Sequence, residues 1–150
     1  MKHEVFGTLS NVAETDITFD EIYKKRYVPS EYIDEIKKAN LLIIPDEKYR
    51  DEDVLLFPET TREFFDFVKD VSGEGIIADI ASSDEDFQRI ELHSSVIEVA
   101  KIIVDYAVLP IVTGIVSAFL YDLIKEYRKK PEETSAKVEI IAEETKTKKS

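Results

Sequence analysis

Tyr106–Lys130 reads YAVLPIVTGIVSAFLYDLIKEYRKK, and the use made of this stretch decides the architecture around it. From Tyr106 to Tyr121 the two tyrosines are its only ionisable groups, and the basic residues Lys125, Arg128, Lys129 and Lys130 follow. A membrane-spanning helix needs about 20 apolar residues, whereas uncharged runs of about 10–14 usually lie in a protein core. This run falls between the two. Tyr106 and Tyr121 at its ends resemble an aromatic belt, and the basic cluster resembles a cytoplasmic flank. Against spanning, Asp105 and Asp122 bracket the run closely, and Pro110, Thr113, Gly114 and Ser117 interrupt it.

Helical periodicity organises the run further. Ile111, Val112, Ile115, Val116, Phe119, Leu120 and Leu123 form a wide apolar face, and Thr113, Gly114, Ser117 and Ala118 form a face of small residues. Small residues four apart, such as Gly114 and Ala118, let two helix backbones approach closely. The surface they approach is either the chain's own preceding segment, folded back at Pro110, or another chain. Gly114, Ala118, Phe119 and Tyr121 are the candidate interface residues. Pro110 either kinks one long helix or opens a second at its first turn, where its missing N–H costs nothing.

Upstream, the pattern from Ser94 to Leu109 predicts another helix. Glu98, Lys101 and Asp105 fall at i, i+3 and i+7 on one narrow stripe, and nearly everything else is apolar. Downstream, AKVEIIAE (Ala136 to Glu143) predicts a last strand, which a spanning helix would leave with no sheet to join. Toward the N-terminus, LLIIP (Leu41 to Pro45), VLLF (Val54 to Phe57) and GIIADIA (Gly75 to Ala81) read as strands. Thr60 and Glu63 have capping-box spacing ahead of a helix that Gly73 ends, and Ser30 caps a helix after Pro29. His3–Leu9 reads as a first strand with Ile17–Phe19 as its partner.

The expected fold is α/β or α+β: a small mixed sheet packed by helices, with a long apolar proline-containing helix or helix pair near the C-terminus. A chain of 150 residues fits one domain, taken here as residues 1–143 followed by a flexible basic tail over 144–150.

Composition narrows the function. The chain has 32 acidic and 20 basic residues, a formal net charge of −12, which disfavours binding to a phosphate backbone. The charge is concentrated: Leu41 to Glu91 holds 5 basic and 15 acidic residues, while Lys125 to Ser150 has 8 basic and 6 acidic. There is no cysteine, so disulfides, thiolate catalysis and cysteine-bound zinc are excluded, in keeping with a cytoplasmic location. The first residues, MKHEVFGTLSNVAETD, lack the apolar run of a secretory signal. Neither phosphate-binding glycine motif occurs. With His3 and His93 as the only histidines, no catalytic residue and no cofactor is assigned. Asp79, Asp84 and Asp86 form the one acidic group arranged like a hard-cation site, a strand aspartate followed by a carboxylate loop. The bland reading of the same residues is helix capping and solvated acids.

The succession LLIIPDEKYRDEDVLLFPETTREFFDFVKD, IIADIASSDEDF, a proline-containing apolar helix and VEII resembles small uncharacterised prokaryotic α/β proteins. Some of these accompany conflict or antiviral-defence loci. The resemblance covers Asn40 to Glu143, carries no catalytic residues to transfer, and implies an accessory, sensing or assembly role.

The reading that follows is a non-enzymatic interaction or assembly module. It forms a homo-oligomer, or binds a protein partner, through the helices of residues 94–129. One alternative is a membrane-active effector that inserts residues 106–124. The other is a metal-dependent hydrolase built on the acidic cluster.

Overall fold

The computed structural model describes residues 2–5, 8–13, 17–45, 56–58, 60–73, 75–82, 88–90, 96–126 and 135–144. Their elements, in chain order, begin with β1 (Lys2–Val5), β2 (Thr8–Ala13), α1 (Phe19–Tyr23), α2 (Ile33–Lys38), β3 (Leu41–Ile44) and β4 (Leu56–Pro58). They continue with α3 (Thr61–Val71), β5 (Ala78–Ile80), β6 (Gln88–Ile90), β7 (Val96–Asp105), α4 (Leu109–Glu126) and β8 (Ser135–Glu143). Six of the strands form one mixed sheet in the order β1-β2-β8-β7-β3-β5, and β4 and β6 pair separately. The α/β expectation therefore holds, with the last strand in the middle of the sheet between β2 and β7, parallel to both.

The sheet is covered on both faces. Phe64, Phe65 and Val68 of α3 and Val112, Val116 and Leu120 of α4 pack on one face, against Leu41, Ile43, Ile102 and Ile140. Phe19 and Ile22 of α1 and Ile36 of α2 pack on the other, against Leu42, Ile44, Ile103 and Ile141. Adjacent strand residues thus serve opposite layers, as the strand period of two requires.

This layering explains the main correction. Residues 96–105 are not a helix but β7, ten residues long and hydrogen-bonded to β3 on one side and β8 on the other. A strand apolar on both faces shows no alternation, so its periodicity cannot be told from that of a buried helix. The stripe of Glu98, Lys101 and Asp105 matched helical spacing by coincidence. The informative signal was residue type: VIEVAKIIVD is dominated by β-branched side chains, which favour the extended backbone.

Between Glu98, opposite Lys137, and Ala100, opposite Val138, the ladder slips by one residue at Val99. Such a bulge leaves the extra residue out of regular pairing. Here Val99 is fully buried and its carbonyl accepts the Thr61 hydroxyl at 2.6 Å. That contact fixes the start of α3 to the bulge and corrects the capping-box expectation, because Thr60 lies in helical conformation with no side-chain cap bond.

The N-terminal pairing also differs from expectation. β1 and β2 form an antiparallel pair, with His3 opposite Ser10, while Ile17 to Phe19 leads into α1. Thr18 caps that helix, accepting the Glu21 amide at 3.2 Å, because its hydroxyl satisfies a donor the first turn leaves free. Ser30 opens a 3-10 turn ahead of α2 and does not cap it. Asn40 joins α2 to the strand entry beyond α3: its amide nitrogen donates to the Gly75 carbonyl and its oxygen accepts from Ile77 N, both at 2.8 Å.

Candidate interaction surface

α4 begins where β7 leaves the sheet. Asp105 Oδ1 accepts the Ala107 amide at 3.1 Å and caps a 3-10 turn, Tyr106–Val108, that runs directly into the helix. Pro110 sits in the first turn of α4, so it opens the helix and does not kink it. The Thr113 hydroxyl donates back to the Leu109 carbonyl at 2.9 Å within this turn. The helix therefore has no helical partner in residues 96–105: among the described residues it packs on the sheet and on α3.

Two opposite stripes of α4 have different fates. Leu109, Val112, Val116, Phe119, Leu120 and Leu123 face inward and are at most 8% exposed. Phe119 meets Phe64 edge-on, with ring centroids 5.3 Å apart, an arrangement that aromatic quadrupoles favour. On the other side Ile111 is 55% exposed, Tyr121 is 65% exposed, and Gly114 and Ala118 lie in the open between them. Tyr106, in the 3-10 turn before the helix, is 47% exposed.

Of the four residues expected at an interface, Gly114, Ala118 and Tyr121 thus share the outer face, and Phe119 belongs to the core. The sequence groups Ile111 with Val112, Val116 and Leu120 on one wide apolar face, yet it stands outside. The signal that separates it is spacing. Ile111, Gly114, Ala118, Tyr121 and Lys125 follow one another at alternating intervals of three and four residues, and every one of them is exposed. A Cβ added at Gly114 would meet nothing within 4 Å, so the protein's own packing does not require glycine there.

Ligand sites in open α/β sheets lie beyond the carboxyl ends of strands. At that end of β7 and β8, Asp105 and Glu143 are register partners, 6% and 7% exposed. Both are committed to the backbone: Glu143 Oε2 accepts Phe19 N, in the first turn of α1, at 3.2 Å, and Asp105 caps the turn before α4. Tyr23 stands nearby with Lys37 Nζ 5.8 Å from its ring centre. Burial, with smaller contributions from the charges of Asp20 and Glu143, pushes the Tyr23 hydroxyl up from its ordinary value near 10 to about 12. Tyr23 therefore stays protonated through the neutral range and cannot act there as a base.

Asp79 lies on β5, where its Oδ1 accepts the Ile80 amide at 2.8 Å, while Asp84 and Asp86 lie outside the described residues. Among the described residues no group of three histidine, aspartate or glutamate side chains is placed to hold a metal ion. Residues 145–150 of the basic tail, and His93, also lie outside them. Comparison with protein-family models, with curated proteins and with solved structures finds no match for this chain.

Proposed function

We propose that this protein is a non-enzymatic interaction module that works in the cytoplasm and docks another protein chain on the outer face of α4. The observation that carries the reading is the exposure of Ile111 and Tyr121, at 55% and 65%, within a stretch, Tyr106 to Tyr121, that holds no ionised side chain in a chain whose net charge is −12. Solvating such a face is unfavourable by about 25 cal/mol per Å² of apolar surface, and apolar patches rimmed by charge mark contact sites. A photo-crosslinking amino acid at Ile111, in cells producing the protein, tests it. A discrete protein adduct that disappears on adding Tyr121→Glu is the expected result. The absence of any protein adduct overturns the proposal.

A second reading has one observation in its favour. Tyr106–Lys125 is the one stretch among the described residues long and apolar enough to cross a membrane, and 33% of its most apolar window is buried. Insertion would have to strip Val112, Val116, Leu120 and Leu123 from the sheet, exposing the core face beneath them. Solubility that depends on mild detergent, with lipid in place of protein at the Ile111 crosslinker, would favour insertion over docking.

A further inference from the structure

We infer that the chain docked on α4 is a second copy of this one, packed antiparallel about a two-fold axis between Gly114 and Ala118; this rests on the docking reading above. The outer stripe of α4, extended back to Ala107, reads Ala107, Ile111, Gly114, Ala118, Tyr121, Lys125. Its alternating spacing of three and four residues is that of a two-helix seam, in which side chains of one helix fill the gaps of another. Here the seam is exposed along its whole length. In a two-fold contact each residue meets a fixed counterpart, so the stripe must complement its own reverse.

It does. Reversed about that axis, Gly114 faces Ala118 of the second copy and Ile111 faces Tyr121. Small residues meet at the centre, where the backbones come closest, and large ones close the contact on either side.

Charge selects the same arrangement. Two chains of net charge −12 repel each other except where neither presents an ionised group. From Ala107 to Tyr121 the seam presents none. A parallel pair would set Lys125 against Lys125. The antiparallel pair moves the two lysines about 27 Å apart along the axis, at 1.5 Å per residue. It sets each ammonium at the far end of the other copy's stripe, opposite Ala107, where no like charge of the stripe faces it.

Area sets the strength. One face of an 18-residue helix, about 27 Å long and about 10 Å wide, is smaller than the about 800 Å² per partner of a standard interface. The dimer is accordingly reversible and depends on concentration.

Sedimentation velocity over a hundredfold range of concentration, with single-cysteine variants, tests the inference. The chain has no cysteine of its own, so an introduced pair reports alone. Wild type should move from monomer toward dimer as concentration rises. Gly114→Leu should remain monomeric with a thermal midpoint no lower than that of the wild-type monomer, because leucine is a better helix former than glycine and its side chain starts in open space. Under mild oxidation, a mixture of Ile111→Cys and Tyr121→Cys should give a crossed disulfide dimer of twice the 17.2 kDa chain mass. Ile111→Cys alone should not, its two sulfurs being held about 15 Å apart along the axis.

Three results overturn the second copy. One is wild type that stays monomeric throughout. Another is a dimer that Gly114→Leu leaves intact. The third is a disulfide that forms equally well from Ile111→Cys alone. If the chain stays monomeric while the Ile111 photo-crosslinker still captures a protein of another mass, the second copy is wrong and the docking reading stands. If no protein is captured either, both fall.

Discussion

β7 and α4 are neighbours in the chain and alike in composition, yet they meet opposite demands. In β7, Ile102, Ile103 and Val104 are wholly buried, because the strand lies inside the sheet with a helical layer on each face. In α4 one stripe is buried just as fully, while the opposite stripe, with Ile111 and Tyr121, is left to solvent. A strand inside a three-layer structure can use every side chain for the core. A helix in an outer layer has only one inward face. Ile111 and Tyr121 on the outward face of such a helix add little to the core, and their exposure is the observation on which the docking proposal rests.

The sharpest way to break this comparison is to truncate the same residue type in both elements. Ile102→Ala should cost about 2–5 kcal/mol of folding stability, since the methylenes it removes leave a cavity between β7 and the helices. Ile111→Ala, measured in the dilute monomer, should change stability by less than about 0.5 kcal/mol. Denaturant titration of the two variants checks both numbers. Equal losses would mean that the outer face of α4 is core after all.

Thr61→Val should have the next largest effect, about 1–3 kcal/mol by the same titration. It keeps the side-chain volume but removes the buried hydroxyl on which the carbonyl of the bulged Val99 relies. Amide hydrogen exchange should speed up at the start of α3 and around the bulge, while most of α4 keeps its protection.

Gly114→Ala should act in the other direction and stabilise the dilute monomer by about 0.5–1 kcal/mol. Alanine lowers the entropic cost of ordering a helix interior, and its Cβ meets nothing in the monomer. A loss of stability there would show that Gly114 is already packed within its own chain.

At neutral pH the smallest effect concerns the other face of the sheet. The Tyr23 hydroxyl is raised from about 10 to about 12, so the folded state holds its proton more tightly than the unfolded state. The stability this supplies is fully present below pH 10 and is lost as pH rises toward 12. Tyr23→Phe should therefore flatten the fall in denaturation midpoint between pH 10 and 12 and leave the neutral range almost unchanged.

Much of the architecture was legible one segment at a time. LLII was readable as a strand from its short, fully apolar run between a helix and a proline, and VEII from its β-branched content ahead of a polar end. α3 was readable from Phe64, Phe65 and Val68 on one helical face. Val96–Asp105 was misread because burial on both faces removes the alternation by which a strand is recognised. The first hairpin was placed incorrectly because the extent of β2 is set by its pairing with β1 and β8, and pairing partners leave no local trace. In the candidate surface, Gly114 and Ala118 could be chosen from the spacing of small residues, and Tyr121 from its place at the end of the uncharged run. Phe119 could not be separated from them, nor Ile111 joined to them, until the inward direction of the helix was known.

By itself, then, the chain determined which segments are apolar enough to be ordered, the acidic field around them, and the chemistry excluded by having no cysteine and only two histidines. These follow from side-chain transfer energies and charge, which need no knowledge of neighbours. Only the tertiary structure decided that β8 lies between β2 and β7, that β7 is extended, and that α4 turns Val116 inward and Gly114 outward. Those choices depend on contacts between residues far apart in sequence. An apolar side chain gains a similar free energy from any apolar surface, so its own sequence position does not say which surface it meets.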